Sequence, residues 1–543
     1  MSVVIGRTAL GIASILLAVM LLPGLVQAQI GQAGAARVTV ATAPRLQFTP
    51  AEMALARAVA GDPALAAFYG EAGLRPVFTG AEGAARRQAL LTAIAEAPRH
   101  GIPSARYAPE SLVKSGSEGL AAELAHTRAL SQLLRDLSHG VLDPGRVDPE
   151  IKRTREDADL VGRIADFATA QDPLAVLRAA APDHPAYIAL QKALSGAATP
   201  SVPAHLPRIP DGVWRIGDRG DGLVPMRARL SAMGYDVSSS DPELYDIQLA
   251  QAVQQFQTAA GLGADGIAGP QTIRMLNGDG AAGQDGRQRA IAVAMERLRW
   301  MNGHDLMQRH VWVNIPEFAT TIVENGSEVF RTRSVVGENN AELRTPEFSD
   351  MLSHVVVNPT WTVPPGMLRR IYLPGLQANR HAYPHLDVID RRGNVVPREA
   401  LDLSSGAFPY RLRQKPSDAN ALGIVKFIFP NPWNIYLHDT PNKGQFGNRV
   451  RAASNGCIRI GDPIDLAHQL LSRQTDNPAA MFRRARDSGR ETWLTMRPAI
   501  PVHLVYFTAW PDADGRIRIF DDVYGRDARI WRAFEAEVSA GQG

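Results

Sequence analysis

A chain of 543 residues has room for about three domains with cores of their own. Its 58 Lys and Arg nearly balance 55 Asp and Glu, and the excess is spread along the chain with no polybasic block, which excludes nucleic acid as an expected partner. The single cysteine rules out an internal disulfide, so it is an intermolecular partner, an inert core side chain or a nucleophile.

The chain opens with Arg7, an apolar run from Ala9 to about Leu22, the breakers Pro23 and Gly24, and a small-x-Ala site at Val26-Gln27-Ala28. That order reads as a secretory signal peptide over residues 1–28. A retained membrane anchor is the alternative, and membrane contact is expected only through this segment. The mature protein is expected outside the cytoplasm. Residues 29–45, small and polar with a proline, read as a linker.

From 46 to 200 the chain is rich in Ala and Leu at spacings of three and four, the pattern of a helical domain, with Gly140 stopping its longest helix. A Pro-rich joint at 199–212 follows. Residues 213–280 alternate three short helical patterns with Gly/Asp turns. Val224, Met226 and Leu230 form one stripe, Leu249, Val253 and Phe256 a second, and Ile273 and Leu276 a third.

The last region, 286–543, begins with a helix that carries Ile291, Ala294, Met295 and Leu298 on one face. The period then changes to two. Alternating runs meet at Asn325-Gly326, a strong hairpin signal, and further strands follow around 354–361, 424–429 and 433–439. Residues 362–421 carry their own hairpin signal near 386–399 and read as an insertion over one end of the sheet. After the cysteine, Asp462 is expected to cap a helix with Pro463 in its first turn and Asp465 three residues on, which makes both aspartates structural. The fold class is therefore multi-domain α+β: a helical N-terminal scaffold, a small three-helix module and a mostly-β domain with a capping insertion.

The cysteine, Cys457, follows His438 by 457 − 438 = 19 positions, across a loop rich in Asn, Gly and Arg. A free thiol has a pKa of about 8.5, so little of it is thiolate at neutral pH unless a neighbour intervenes. A histidine can take the proton and leave a thiolate–imidazolium pair. A tight turn at Gly456-Cys457 can aim backbone N–H groups at an oxyanion. Spacing alone leaves an inert buried thiol as an open alternative.

The residues around that pair carry more. "IYLHDTP" followed by "RAASNGCIRIGDPIDLA" resembles the L,D-transpeptidase catalytic domain, in which a histidine on one strand precedes a Ser-His-Gly-Cys-hydrophobic-Arg motif. The segment "AVQQFQTAAGLGADGIAGPQT" resembles a peptidoglycan-binding module, and nearly all of the mature chain, most specifically 421–462 and less so 46–200, is similar to the large periplasmic form of the family. The resemblance implies Cys457 as nucleophile, His438 as its base and Asp439 as the group that orients the base. It implies Gly456 and Cys457 as oxyanion donors, and Tyr436, Asn455 and Arg459 as substrate-binding residues. Asn455 stands where the family motif has a second histidine.

The implied partners are peptidoglycan stem peptides, a tetrapeptide donor and an amine acceptor, with no metal or cofactor. The implied location is the periplasm, the expected state a monomer, and carbapenems the implied inhibitors. Three alternatives stay open: an L,D-carboxypeptidase, attachment of a wall protein by the same acyl-enzyme, or a non-catalytic anchor. A zinc amidase is disfavoured, since no HExxH occurs and His381 and His385 flank Pro384.

Overall fold

The computed structural model describes residues 48–80, 82–155, 159–195, 206–259, 264–277, 283–404 and 408–540. The expected signal peptide and linker lie outside these residues. Between Pro50–Val59 and Pro185–Ser195 the chain is helical, and several helices pack on the longest, Gly119–His139. Leu130, Leu133, Leu134 and Leu137 bury one stripe of that helix. On another face Glu123 is buried, accepting from the Val77 and Phe78 N–H groups at 2.6 and 2.9 Å and from the Tyr69 hydroxyl at 2.6 Å. This charge-assisted anchoring fixes the turn after the helix Pro63–Glu71. Gly140 ends the long helix at φ +89°, and a Cβ there would stand 2.7 Å from Glu296 Oε1.

The next unit holds the helices Leu223–Ala232, Ile247–Ala259 and Pro270–Asn277 around Leu223, Met226, Leu230, Leu249, Val253, Phe256, Ile273 and Leu276. Val224, expected on the first stripe, is 44% exposed, and Leu223 takes its place. Reciprocal backbone bonds between Trp214 and Ala268 close the module.

The remaining strands are β1 (His310–Asn314), β2 (Ala319–Glu324), β3 (Ser327–Gly337), β4 (Phe348–Val357), β5 (Trp361–Thr362), β6 (Asp387–Ile389), β7 (Arg411–Gln414), β8 (Val425–Ile428), β9 (Leu437–His438), β10 (Ala452–Ser454), β11 (Ile458–Ile460), β12 (Thr492–Val505), β13 (Ala509–Pro511) and β14 (Ile517–Ile519). The large sheet runs β10-β3-β11-β9-β8-β4-β12-β1-β2. Because β2 also pairs with β3, the sheet closes into a ring that leaves out only β10. The β2–β3 hairpin turns at Asn325 and Gly326, both at positive φ (52° and 71°), the twist-matched turn that the Asn-Gly pair predicts.

Between β4 and β8 in the chain, β5, β7 and β6 form a separate three-stranded sheet over Trp361, Leu376, Leu386, Val388 and Leu412. The hairpin expected there shrinks to a tight turn closed by one bridge, Ile389 to Val395, and β6 takes β7 as its ladder partner.

Two further features depart from the sequence reading. Asp462 precedes its helix, Pro463–Leu471, but makes no side-chain cap; its carboxylate accepts instead from the Thr332 hydroxyl at 2.8 Å. The helix Gly283–Arg299 buries the expected apolar face, but also Glu296, Arg297 and Arg299. Arg299 pairs with Glu296 at 2.6 Å, and Arg297 with Glu347 and Asp527. Charges buried this deeply persist only when partnered. Glu347 also joins the helical region to the sheet domain: its carbonyl accepts from the Lys152 N–H at 2.8 Å, and its N–H donates to the Glu150 carbonyl at 2.9 Å.

Candidate active site

Strands β9 and β11 are short, parallel and adjacent, with Ile458 opposite Leu437 and Arg459 opposite His438. The Ile458 N–H donates to the Tyr436 carbonyl at 3.1 Å, which sets Cys457 beside Tyr436. Side chains alternate along a strand, so Leu437, Ile458 and Ile460 point into the sheet core. By the same alternation Tyr436, His438, Cys457 and Arg459 fall on the other side of the strands, with Tyr436 and Cys457 still touching the edge of that core. The structure thus brings four of the expected site residues together on one pair of strands.

His438 is buried, and its Nδ1 stands 2.5 Å from the Asp439 carbonyl oxygen. A carbonyl only accepts, so Nδ1 carries the hydrogen and Nε2 of the neutral ring keeps a free lone pair. Burial pushes the imidazole pKa down to about 4, with the Asp439 carbonyl opposing the shift.

The Asp439 side chain is occupied elsewhere. Its carboxylate accepts from the Thr440 N–H at 2.6 Å, the Ile424 N–H at 2.9 Å and the Lys443 ammonium at 2.5 Å. Gly423, at φ +60°, leaves room for it, since a Cβ there would stand 2.2 Å from Oδ2. Asp439 meets the imidazole through its main chain only.

Cys457 is a free thiol and half-buried, with its Sγ 3.5 Å from the Asn434 carbonyl. Burial pushes the thiol up to about 11, while hydrogen bonds from Tyr436 and the Arg459 charge pull against the shift. The Tyr436 hydroxyl is itself raised well above its usual value by burial and by the thiol beside it. Tyr436 and His438 rings lie 5.6 Å apart. Burial thus opposes the charged form of both members of the thiolate–imidazolium pair expected from sequence. A thiol on the same strand pair as an imidazole with a free lone pair can lose its proton as the sulfur attacks.

Gly456 adopts φ +109°. Its N–H donates to Ser454 Oγ at 3.1 Å, and Ser454 Oγ donates in turn to the Cys457 carbonyl at 2.5 Å. Of the two expected oxyanion donors, only the Cys457 N–H meets no acceptor among the described residues. Asn455 is exposed at the tip of this turn. Arg459 hydrogen-bonds Gln445 in the 3-10 turn Lys443–Gly447 and faces the thiol. Sequence reasoning gave no role to Ser454, although it lies in the motif. It also missed Gln445, Lys443 and Thr345, the last 111 positions from Gly456 and invisible to any local pattern.

A short parallel strand pair carrying a thiol, an oriented imidazole and an arginine on one face, on a closed sheet with an inserted subdomain, defines a class. Residues 308–483 match the family model "L,D-transpeptidase catalytic domain", residues 219–276 "Putative peptidoglycan binding domain" and residues 63–194 "Scaffold domain". The sheet domain carries the match to the L,D-transpeptidase catalytic domain model, and the chain joins it to segments that match the scaffold and peptidoglycan-binding models.

A Haemophilus influenzae protein named "Putative L,D-transpeptidase" is 37% identical over 247 residues, 44% of this chain and 48% of that protein. An N-acetylmuramoyl-L-alanine amidase, CwlM, of Mycobacterium tuberculosis is 42% identical over 80 residues, 13% of this chain and 20% of its own length. The chain thus spans about half or less of the length of these curated relatives. An L,D-transpeptidase crystal structure from Xylanimonas cellulosilytica aligns over 55% of this chain and 98% of its own, at 16% identity and a TM-score of 0.15.

Proposed function

We propose that this chain is a periplasmic cysteine acyltransferase that cross-links peptidoglycan stem peptides. The observation that carries the reading is the shared face of Cys457 and His438, with the His438 Nε2 lone pair left free by the Asp439 carbonyl. The match of residues 308–483 to the L,D-transpeptidase catalytic domain model supports it.

Cys457 Sγ attacks the carbonyl of the third residue, diaminopimelate, in a tetrapeptide stem, and its proton passes to His438 Nε2. The Cys457 N–H donates to the oxyanion. Gly456, its own N–H held by Ser454, supplies the left-handed bend that turns the next peptide toward the substrate. As the intermediate collapses, the C–N bond to the terminal D-Ala breaks and the leaving amine takes the proton from His438. A thioester remains on Cys457.

The side-chain amine of a diaminopimelate on a second stem then attacks the thioester and gives a proton to His438. The C–S bond breaks, and the sulfur takes that proton back. No metal or cofactor enters either half-reaction.

Arg459 pairs with a stem carboxylate, Tyr436 and Asn455 line the donor site, and the insertion at 362–421 keeps water from the thioester. The module at 213–280 holds the wall polymer near the site. Carbapenems, as strained acyl donors, acylate the same thiol.

Mass spectrometry of muropeptides incubated with the purified protein tests this. The expected products are stems joined between two diaminopimelate residues, with D-Ala released, and their loss in Cys457→Ala. Trimmed tripeptide stems without cross-links would establish the carboxypeptidase instead. Unchanged stems, with binding to sacculi retained, would leave only an anchor.

A further inference from the structure

Thr345 sits in the segment between β3 and β4 and is wholly buried. Its hydroxyl accepts from the Gly337 N–H at 2.9 Å and donates to the Gly456 carbonyl at 2.8 Å. Because the Gly337 N–H can only donate, the direction of both bonds is set. The Gly456 carbonyl belongs to the same peptide unit as the Cys457 N–H, and in a planar trans peptide the two point in opposite directions. Anchoring the oxygen inward on Thr345 therefore sends the N–H outward, to the side where substrate must bind. It also polarises the amide, since a hydrogen bond to the oxygen strengthens donation by the nitrogen of the same unit.

Thr345 is itself held from three sides. Its carbonyl accepts from Arg526 at 3.0 Å, and Arg526 pairs with Glu347 at 3.1 Å. Its N–H donates to the Tyr524 hydroxyl at 3.4 Å. Two residues on, the scaffold strand segment at 150–152 clamps the Glu347 backbone through two hydrogen bonds. Gly337 lets the segment approach this closely: a Cβ there would meet the Leu343 carbonyl oxygen at 2.0 Å.

We propose that Thr345 is a positioning residue for acyl transfer, aiming and polarising the Gly456–Cys457 peptide, and that the docked scaffold domain holds Thr345 in register. This rests on the acyl-transfer reading above. The scaffold then contributes to catalysis through the backbone of 345–347, without reaching the substrate.

The test compares two reactions of the same thiol in the full chain. Acylation by a tetrapeptide donor uses the oxyanion donor; alkylation by iodoacetamide displaces iodide and does not. Thr345→Val should lower kcat for D-Ala release about 10- to 100-fold, with KM and the alkylation rate each within about twofold of wild type. Thr345→Ser, which keeps the hydroxyl, should restore kcat to within about threefold.

Equal kcat in Thr345→Val and wild type would overturn the proposal, as would a parallel fall of acylation and alkylation. If Thr345→Val does not fold, Thr345→Ala carries the same expectation, and failure of both to fold would reduce Thr345 to a structural residue. A wild-type protein that alkylates but never releases D-Ala would instead overturn the acyl-transfer reading itself.

Discussion

His438 is oriented by the main chain of its own successor: Nδ1 stands 2.5 Å from the Asp439 carbonyl, while the Asp439 carboxylate turns away to Thr440, Ile424 and Lys443. Asp439→Asn should therefore leave the imidazole in place. The expected result is kcat within about threefold of wild type, together with a stability loss of about 1–3 kcal/mol in urea unfolding from the lost charge-assisted bonds. A large fall in kcat with unchanged stability would assign the carboxylate a direct role.

Burial sets the pH behaviour of the pair. With His438 held down at about 4 and Cys457 pushed up to about 11, kcat/KM should be flat across neutral pH and fall only on acidification toward 4. Iodoacetamide should react slowly at pH 7, where about one thiol in ten thousand is ionised at such a pKa, and faster as pH rises past 9. Fast alkylation at pH 6 would contradict the upward push on the thiol.

The same shifts bear on stability, with opposite signs. His438 is depressed on folding, so its contribution is present above 6.5 and lost as pH falls through about 4. The thiol is raised, so its contribution is present below 9.0 and lost as pH rises through about 11. A drop from 6.5 to about 4 corresponds to about 3 kcal/mol for His438. Replacing it by Gln should flatten the acid limb of a urea-midpoint profile between pH 6.5 and 4; an unchanged limb would place that stability elsewhere.

Tyr436 reaches the thiol with its hydroxyl, while its ring packs against both the sheet core and the core of the inserted subdomain. Tyr436→Phe should keep the packing and lose the bond. The thiol pKa should rise further, and alkylation at pH 8 should slow several-fold with little change in unfolding midpoint. A faster reaction would mean that the hydroxyl shields the sulfur rather than favouring its charge.

Deleting residues 213–280 should reduce activity on intact sacculi more than on soluble muropeptides, because a tethered binding module raises the local concentration of an insoluble substrate. Equal losses on both substrates would make the module a structural part of the catalytic unit.

What the sequence made legible was whatever depends on local pattern. Asn325-Gly326 named its hairpin, Gly140 its helix end, and the apolar face of Ile291 to Leu298 its burial, since each follows from backbone chemistry within a few residues. Cys457 and His438 stood out by residue type, and the short parallel strands put them on one face.

Tertiary partners were not legible. Glu123, Glu347, Arg297 and Arg526 carry no local signal of burial, yet each is buried against partners distant in the chain. Asp462 had the position of a helix cap but found Thr332, 130 residues away. The upward push on the thiol comes from burial, which neither residue type nor spacing reveals.

In the proposed reaction Cys457 forms a thioester by transfer of a stem acyl group. Intact-mass analysis of the full chain, quenched in acid during incubation with a tetrapeptide muropeptide donor and no acceptor, tests it most directly. The expected result is an added mass equal to the donor minus D-Ala, mapped to the peptide containing Cys457, absent in Cys457→Ala and discharged on adding an amine acceptor. No adduct on a protein whose thiol still reacts with iodoacetamide would contradict it.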